Sequence, residues 1–179
     1  MIRVFDLIFS ISALVLFSPL LIFFFIFDLF RSGSPIFLQA RIGKNEKKFM
    51  LYKFRTMKID TKSAATHLIS NSAITPYGQL LRYSKIDELP QLWNVIIGDM
   101  SLVGPRPCLN SQHTLIRERR KRKIFKVRPG ITGLAQIKGV DMSKPLLLAQ
   151  TDYKMIKKMN LLLYFYYLIM TVIFVFKKR

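Results

Sequence analysis

Residues 7–27 read LIFSISALVLFSPLLIFFFIF, 21 residues without a charge, with Asp6 in front and Asp28 behind. The run matches the roughly 20 residues a helix needs to cross a ~30 Å hydrocarbon layer. Ser18-Pro19 stands near its centre, where proline removes a backbone donor and crowds the preceding turn. A helix broken at Ser18-Pro19 has two arms of about ten residues, or ~15 Å each, so both ends return to one face of the membrane. The expectation is a re-entrant membrane helix-hairpin over residues 1–31, anchored by Ser18 and Pro19, in place of a simple crossing. A cleaved signal peptide fits worse, because the run outlasts a secretory apolar region and Asp28-Leu29-Phe30-Arg31 follows where small residues belong.

Outward from this run the chain changes character. Of 179 residues 51% are hydrophobic and 22% charged, with a formal net charge of +19, which excludes a disordered polar tail. Residues 31–160 hold 25 of the 29 basic residues against 8 of the 10 acidic ones, and 28 of the 29 follow the first apolar run. By the positive-inside rule that keeps the body in the cytoplasm, a compartment compatible with the single cysteine, Cys108. A second charge-free run, 161–176, is short for a crossing at ~24 Å. Lys157-Lys158 before it and Lys177-Lys178-Arg179 after it favour a helix lying in the cytoplasmic interface. The organisation expected is therefore a re-entrant hairpin (1–31), a cytoplasmic catalytic domain (32–160) and an apolar interfacial C-terminal helix with a basic end (161–179).

Within the body, Ile36-Phe37-Leu38 and Phe49-Met50-Leu51-Tyr52 read as short strands around a Gly43-Lys44-Asn45 turn. Residues 60–76 read as loop with some helix, and 77–83, 110–126 and 144–160 as helices. In Asp87-Glu88-Leu89-Pro90-Gln91-Leu92-Trp93-Asn94-Val95-Ile96-Ile97-Gly98 the apolar residues keep helical spacing and Gly98 is a stop. Pro90 is tolerable only in the first turn, which puts Asp87 at or beside the N-cap. The fold class is α/β, mainly helical with a few short strands, in a monotopic membrane protein.

Four features carry chemistry. Asp87 and Glu88 at a helix start are either a cap with a first-turn acid, or a dipole-stabilised carboxylate serving as nucleophile or metal ligand. In Gly104-Pro105-Arg106-Pro107 the prolines stiffen a strap that presents a guanidinium, whose fork suits a phosphate, or that is merely a loop with a surface arginine. Arg41, Lys44, Lys53, Arg55, Arg82, Lys85 and Arg128 are scattered beside glycines, prolines and strand ends, as expected if loops converge on an anion or if they are solvated surface. Residues 117–128 hold eight basic positions opposed only by Glu118. Next to two membrane segments that run points to anionic membrane lipid, not nucleic acid, since no nucleic-acid motif accompanies it. Two histidines, no CxxC, no Walker A motif, no GxGxxG and no GxSxG argue against zinc hydrolysis and triad chemistry.

Jointly the motifs resemble the bacterial sugar transferases, the small monotopic phosphoglycosyl transferases. The resemblance runs through Phe17-Ser18-Pro19, Gly33-Ser34-Pro35-Ile36-Phe37, Tyr52-Lys53-Phe54-Arg55-Thr56-Met57, Asp87-Glu88-Leu89-Pro90-Gln91-Leu92, Gly98-Asp99-Met100-Ser101-Leu102-Val103-Gly104-Pro105-Arg106-Pro107 and Arg128-Pro129-Gly130-Ile131-Thr132-Gly133, in order. It implies transfer of a sugar 1-phosphate from a UDP-sugar to undecaprenyl or another polyprenyl phosphate at the cytoplasmic face of a bacterial inner membrane, with release of UMP. It implies Asp87 as the nucleophile that carries a covalent phosphosugar, Asp87 and Glu88 as ligands of Mg²⁺, and Arg106, Arg82, Lys53, Arg55, Arg128 and Asp152 as substrate-binding residues. The chain has the look of the family's minimal form, and an N-acetylated amino sugar is the preferred donor. Val140 after Lys138-Gly139, and Leu163-Tyr164-Phe165-Tyr166 near the C-terminus, depart from the family pattern. The alternative readings are a non-catalytic scaffold that binds anionic lipid and a metal-dependent glycosyltransferase that releases UDP.

Overall fold

A computed structural model of the protein describes residues 1–59, 61 and 73–177. Most of the polar stretch expected to be loop with some helix, and the last two basic residues, 178 and 179, lie outside the described residues. Among those described, the chain is mainly helical with four short strands, as its residue pattern predicts.

The first helix, α1, runs Ile2–Ser32 as one element with Pro19 inside it, so the expected break at Ser18-Pro19 is not a break in the helix. The reason is local. Proline 19 has no N–H for the carbonyl four residues back, and the Ser18 hydroxyl donates to that same carbonyl, Val15 O, at 2.8 Å. Both ends of α1 dock on the body while the middle stays bare: only 11% of its most apolar 18-residue window is buried. At the start, the Arg3 guanidinium donates to Ile96 O at 3.0 Å. Asp6, 2% exposed, accepts from Ser101 Oγ (2.8 Å), Leu102 N (2.9 Å) and Tyr164 Oη (2.9 Å). At the far end, Asp28 is buried and pairs with Arg31 at 2.6 Å, and the Arg31 guanidinium lies 4.6 Å over the Tyr77 ring.

Strands β1 (Ile36–Ile42) and β2 (Lys48–Phe54) form an antiparallel hairpin with Phe37 opposite Lys53. Helix α2 (Pro76–Ser84) starts where Thr75 Oγ1 accepts from Gly78 N at 3.0 Å, with Pro76 in the first turn, where its missing N–H costs nothing. Helix α3 (Gln91–Ile97) leads to β3 (Ser101–Val103), which pairs in parallel with β4 (Gly130–Thr132) across α4 (His113–Lys121). Helices α5 (Leu134–Ile137), α6 (Pro145–Lys158) and α7 (Leu161–Lys177) complete the body.

The main core packs Leu51, Leu92, Val95, Met100 and Met155 against two aromatics of α7, Tyr164 and Tyr167, which are 1% and 5% exposed. The charge-free C-terminal helix therefore has one face built into the body, while Leu162, Ile169 and Ile173 remain on its bare side. Its hydroxyls explain the docking: Tyr164 bonds Asp6, and Thr171 shares a hydrogen bond with Thr132 of β4.

The β3–β4 pair is seated by a backbone-to-backbone approach. A Cβ on Gly130 would lie 2.0 Å from Gly104 N, closer than any side chain tolerates. Gly130→Ala is expected to cost roughly 3 kcal/mol by overpacking, read as a lowered midpoint of thermal unfolding; an unchanged midpoint would contradict the packing described.

Candidate active site

The segment after α2 positions the acidic pair. Lys85 closes α2 in a left-handed conformation (φ 62°), and the chain turns at once into a 3-10 turn, Ile86–Glu88. Pro90 is the residue that caps α3. Asp87 is thus one turn ahead of the α3 N-cap and not at it, because Pro90 has no N–H to offer a capping carboxylate and Lys85 has already started the turn.

Glu88 is held from two directions. Its Oε1 accepts from Lys53 Nζ of β2 at 3.0 Å and from Arg106 Nη2 at 2.7 Å. Burial pushes the Glu88 carboxyl up, but the Arg106 charge and then the Lys53 charge outweigh it and hold it well below the usual carboxylate range. Arg106 is correspondingly raised by Glu88, and burial lowers Lys53 against the pull of Glu88.

Asp87 is the opposite case. It is 6% exposed, and its Oδ1 is buried with no hydrogen-bond partner among the described residues. Burial, then the adjacent Glu88 charge, raise it to about 6, with Lys53, Lys85 and Arg82 pulling the other way. The sequence left open which of the two carboxylates is the more readily charged; in the structure Glu88 has the cations, and Asp87 has the desolvation.

Arg106 projects from a strap held by a series of hydrogen bonds to its backbone. Gly104 N donates to Thr132 O (2.8 Å), and Pro105 O accepts from Gly130 N (2.9 Å). Arg106 O accepts from Arg119 Nη1 (2.8 Å), and Pro107 O from Arg41 Nη1 (3.0 Å). Arg119 is in turn fixed by Asp152 Oδ2 at 2.7 Å, both side chains being at most 2% exposed.

The residues singled out from the sequence divide accordingly. Lys53, Glu88 and Arg106 line one cavity of about 900 Å³, joined there by Lys85 and Arg41. Asp87 does not line it, but stands close enough to feel Lys53, Lys85 and Arg82. Arg82 is lowered by burial, is supported by Asp87 and Glu88, and donates to Thr56 Oγ1 at 2.9 Å. Three expected substrate ligands lie elsewhere. Arg55 binds Ser34 O at 2.8 Å and tethers the chain leaving α1. Arg128 Nε donates to Gly98 O at 2.7 Å and caps α3. Asp152 is sealed with Arg119 between α4 and α6, so it supports the strap from behind and does not line this cavity. Ser18 and Pro19 sit in the bare middle of α1. In the basic run, Arg119, Arg120, Lys121 and Arg122 are paired with Asp152, Glu46 and Glu118, while Arg117, Lys123 and Lys126 are exposed.

No group of three or more His, Cys, Asp or Glu side chains converges among the described residues, so these residues build no closed metal cage. The arrangement suits a cation of the magnesium type, which takes one or two carboxylates and completes its shell with water and substrate phosphates. Asp87 Oδ1 is a buried oxygen without a partner, and Glu88 is its neighbour in the turn.

The family model for the bacterial sugar transferases matches residues 1–178. The chain is 45% identical over 138 residues to the "Uncharacterized sugar transferase EpsL" of Bacillus subtilis (strain 168), covering 76% of this chain and 68% of that protein. It is 35% identical over 155 residues to the "Undecaprenyl-phosphate galactose phosphotransferase" of Salmonella typhimurium. It is 37% identical over 140 residues to the "UDP-N-acetylgalactosamine-undecaprenyl-phosphate N-acetylgalactosaminephosphotransferase" of Aeromonas hydrophila. The matches cover 76% and 74% of this chain but only 32% of each of those two longer proteins.

The geometry makes Asp152 a test of its own. Asp152→Asn strands the Arg119 charge in the interior and is expected to destabilise the protein by roughly 3 kcal/mol in denaturant titration, whereas a residue that only touched substrate would leave the midpoint in place.

Proposed function

The chain belongs to the bacterial sugar transferase family, and from that premise we propose that it transfers a sugar 1-phosphate from a UDP-sugar to a polyprenyl phosphate and releases UMP. The observation that carries this reading is the divided acidic pair: Glu88 clamped by Lys53 and Arg106, and Asp87 beside it unpaired and raised to about 6. A carboxylate that is ionised at neutral pH yet has no cation on its buried oxygen is a nucleophile held short of its partner.

In this reading the Glu88 oxygen holds the place of a phosphate oxygen. An incoming diphosphate takes Lys53 and Arg106 over from Glu88, which releases the short turn that also carries Asp87. An Asp87 oxygen then attacks the sugar-bearing phosphorus, the bond from that phosphorus to the bridging oxygen breaks, and the bridging oxygen leaves with UMP. An oxygen of the polyprenyl phosphate attacks the same phosphorus in its turn, and the bond to Asp87 breaks to return the carboxylate. Arg106, fixed on its strap, balances the negative charge that grows on the phosphoryl oxygens. Mg²⁺, held by Asp87 and Glu88, would neutralise the diphosphate and favour departure of UMP.

The membrane arrangement belongs to the same proposal. Both ends of α1 dock on one body and its middle is bare, which supports a helix associated with the membrane through that bare middle, with the site on the cytoplasmic face. The exposure of Arg117, Lys123 and Lys126 supports contact with anionic headgroups.

Incubation with UDP-sugar labelled in the sugar and no lipid acceptor is expected to leave label on wild type and none on Asp87→Asn. Equal labelling of the two would remove Asp87 as nucleophile, and release of UDP in place of UMP would make the chain a glycosyltransferase of the other kind. Because the attacking form is the unprotonated one and Asp87 is raised to about 6, labelling in the free enzyme should fall about tenfold per pH unit below that value. The same shift has a stability sign. A carboxyl raised in the folded state favours folding below its unfolded value near 3.8, and that contribution is lost as pH rises through 6. Asp87→Asn should therefore unfold later than wild type at pH 7, by an amount on the order of 2 kcal/mol, with the difference vanishing near pH 3.

A further inference from the structure

The cavity that begins at Lys53, Lys85, Glu88 and Arg106 does not end there. Its other walls are Ile131 after β3's partner glycine, Ile137 of α5, and Leu168 and Val172 of α7. The basic residues and Glu88 form its charged part, and the rest is mainly apolar, with Thr132, Gln136, Asp141 and Thr171 set among the aliphatic side chains. A nucleotide sugar is polar along its whole length and has nothing to set against those aliphatic walls. A lipid phosphate has both parts, a dianionic head and a hydrocarbon tail.

Resting on the functional reading above, we infer that this cavity is the seat of the acceptor: the phosphate meets Arg41, Lys53 and Arg106, and the first isoprene units run between α5 and α7. Three observations support the assignment. Val172 lines the cavity and is also 56% exposed, so the inner wall is continuous with the bare apolar side of α7, where Ile169 and Ile173 stand. A tail enters sideways from lipid without crossing water. The wall is rigid, because the Thr132–Thr171 hydrogen bond ties α7 to β4 and the Tyr164–Asp6 bond ties it to α1. The cationic end is the same Lys53–Arg106 pair that lies beside Asp87, so a phosphate there is next to the residue from which it must collect the sugar phosphate. The volume, about 900 Å³, is that of a site for a drug-sized ligand. The departure of this chain from the family pattern over Leu163–Tyr166 falls on the helix that forms the wall.

The test uses the full chain in nanodiscs and a farnesyl phosphate carrying a diazirine in its tail. Irradiation is expected to label peptides within 131–142 and 161–177, with undecaprenyl phosphate competing. Val172→Trp, on the exposed lip, and Leu168→Trp, deeper in, should each cut that labelling about tenfold, a loss of ~1.4 kcal/mol in binding. With undecaprenyl phosphate as acceptor both should raise the acceptor KM far more than the donor KM. Labelling confined to α1, or tryptophan variants that label like wild type, would each overturn the assignment. Absence of UMP release by wild type would instead strike the transferase reading, since the photolabel reports the lipid site without turnover.

Discussion

Two cations close on one oxygen of Glu88, and the rest of the site depends on that choice. Lys53 from the β-hairpin and Arg106 from the strap bring together parts of the chain 53 positions apart in number, and neither has a second acidic partner among the described residues. Had the same cations closed on Asp87, the roles would be exchanged, with Asp87 held low and Glu88 left to burial and its neighbour's charge. Because they do not, one carboxyl is held low and the other is left buried beside a fixed negative charge, which raises it. The asymmetry of the pair is therefore set by where Lys53 and Arg106 point, not by any intrinsic difference between aspartate and glutamate.

What keeps Arg106 pointing there is a scaffold of backbone hydrogen bonds with two more arginines behind it. Arg119 and Arg41 donate to successive carbonyls, Arg106 O and Pro107 O, and Asp152 cancels the charge that Arg119 would otherwise leave in the interior. Burying an ion pair gains little net stability. Its value here is geometric: with its carbonyls held and its flanking prolines fixing φ, the strap has few other conformations in which to place the guanidinium.

This division explains what the sequence made legible. Asp87-Glu88 and the proline-flanked Arg106 could be singled out because each is marked by neighbours that constrain the backbone, whereas Lys53 was one of seven scattered basic residues. Asp152 had no such mark, since its meaning is a partner 33 positions away that looks like any other member of a basic run. Arg55 and Arg128 are each tied to a backbone carbonyl in the structure, and an arginine that binds a carbonyl and one that binds a phosphate look alike in sequence. The helix was expected to break at Pro19 because the rule counts the lost donor, and the rule does not count a serine hydroxyl that replaces it. The apolar run 161–176 read as a helix lying in the interface, and the sequence did not say which side docks: Tyr164, Tyr167 and Thr171 are the polar handles that face the body.

The position of the site relative to the membrane follows from two short elements. Arg3, at the start of α1, holds the last turn of α3, a seven-residue helix about 10 Å long whose other end follows Glu88 by three residues. Asp6, one turn further along α1, holds Ser101 and Leu102 of β3, and the Arg106 strap leaves β3 directly. The acidic turn and the cationic strap are thus each hung from the same few residues of α1 through one rigid element, and through Tyr164 the same carboxylate also holds α7. A shift of that end of α1 in the lipid carries both halves of the site together, so its depth can vary without changing the distance between Glu88 and Arg106. For a reaction whose acceptor head is fixed at the leaflet surface, that coupling sets the height of the site without disturbing the clamp.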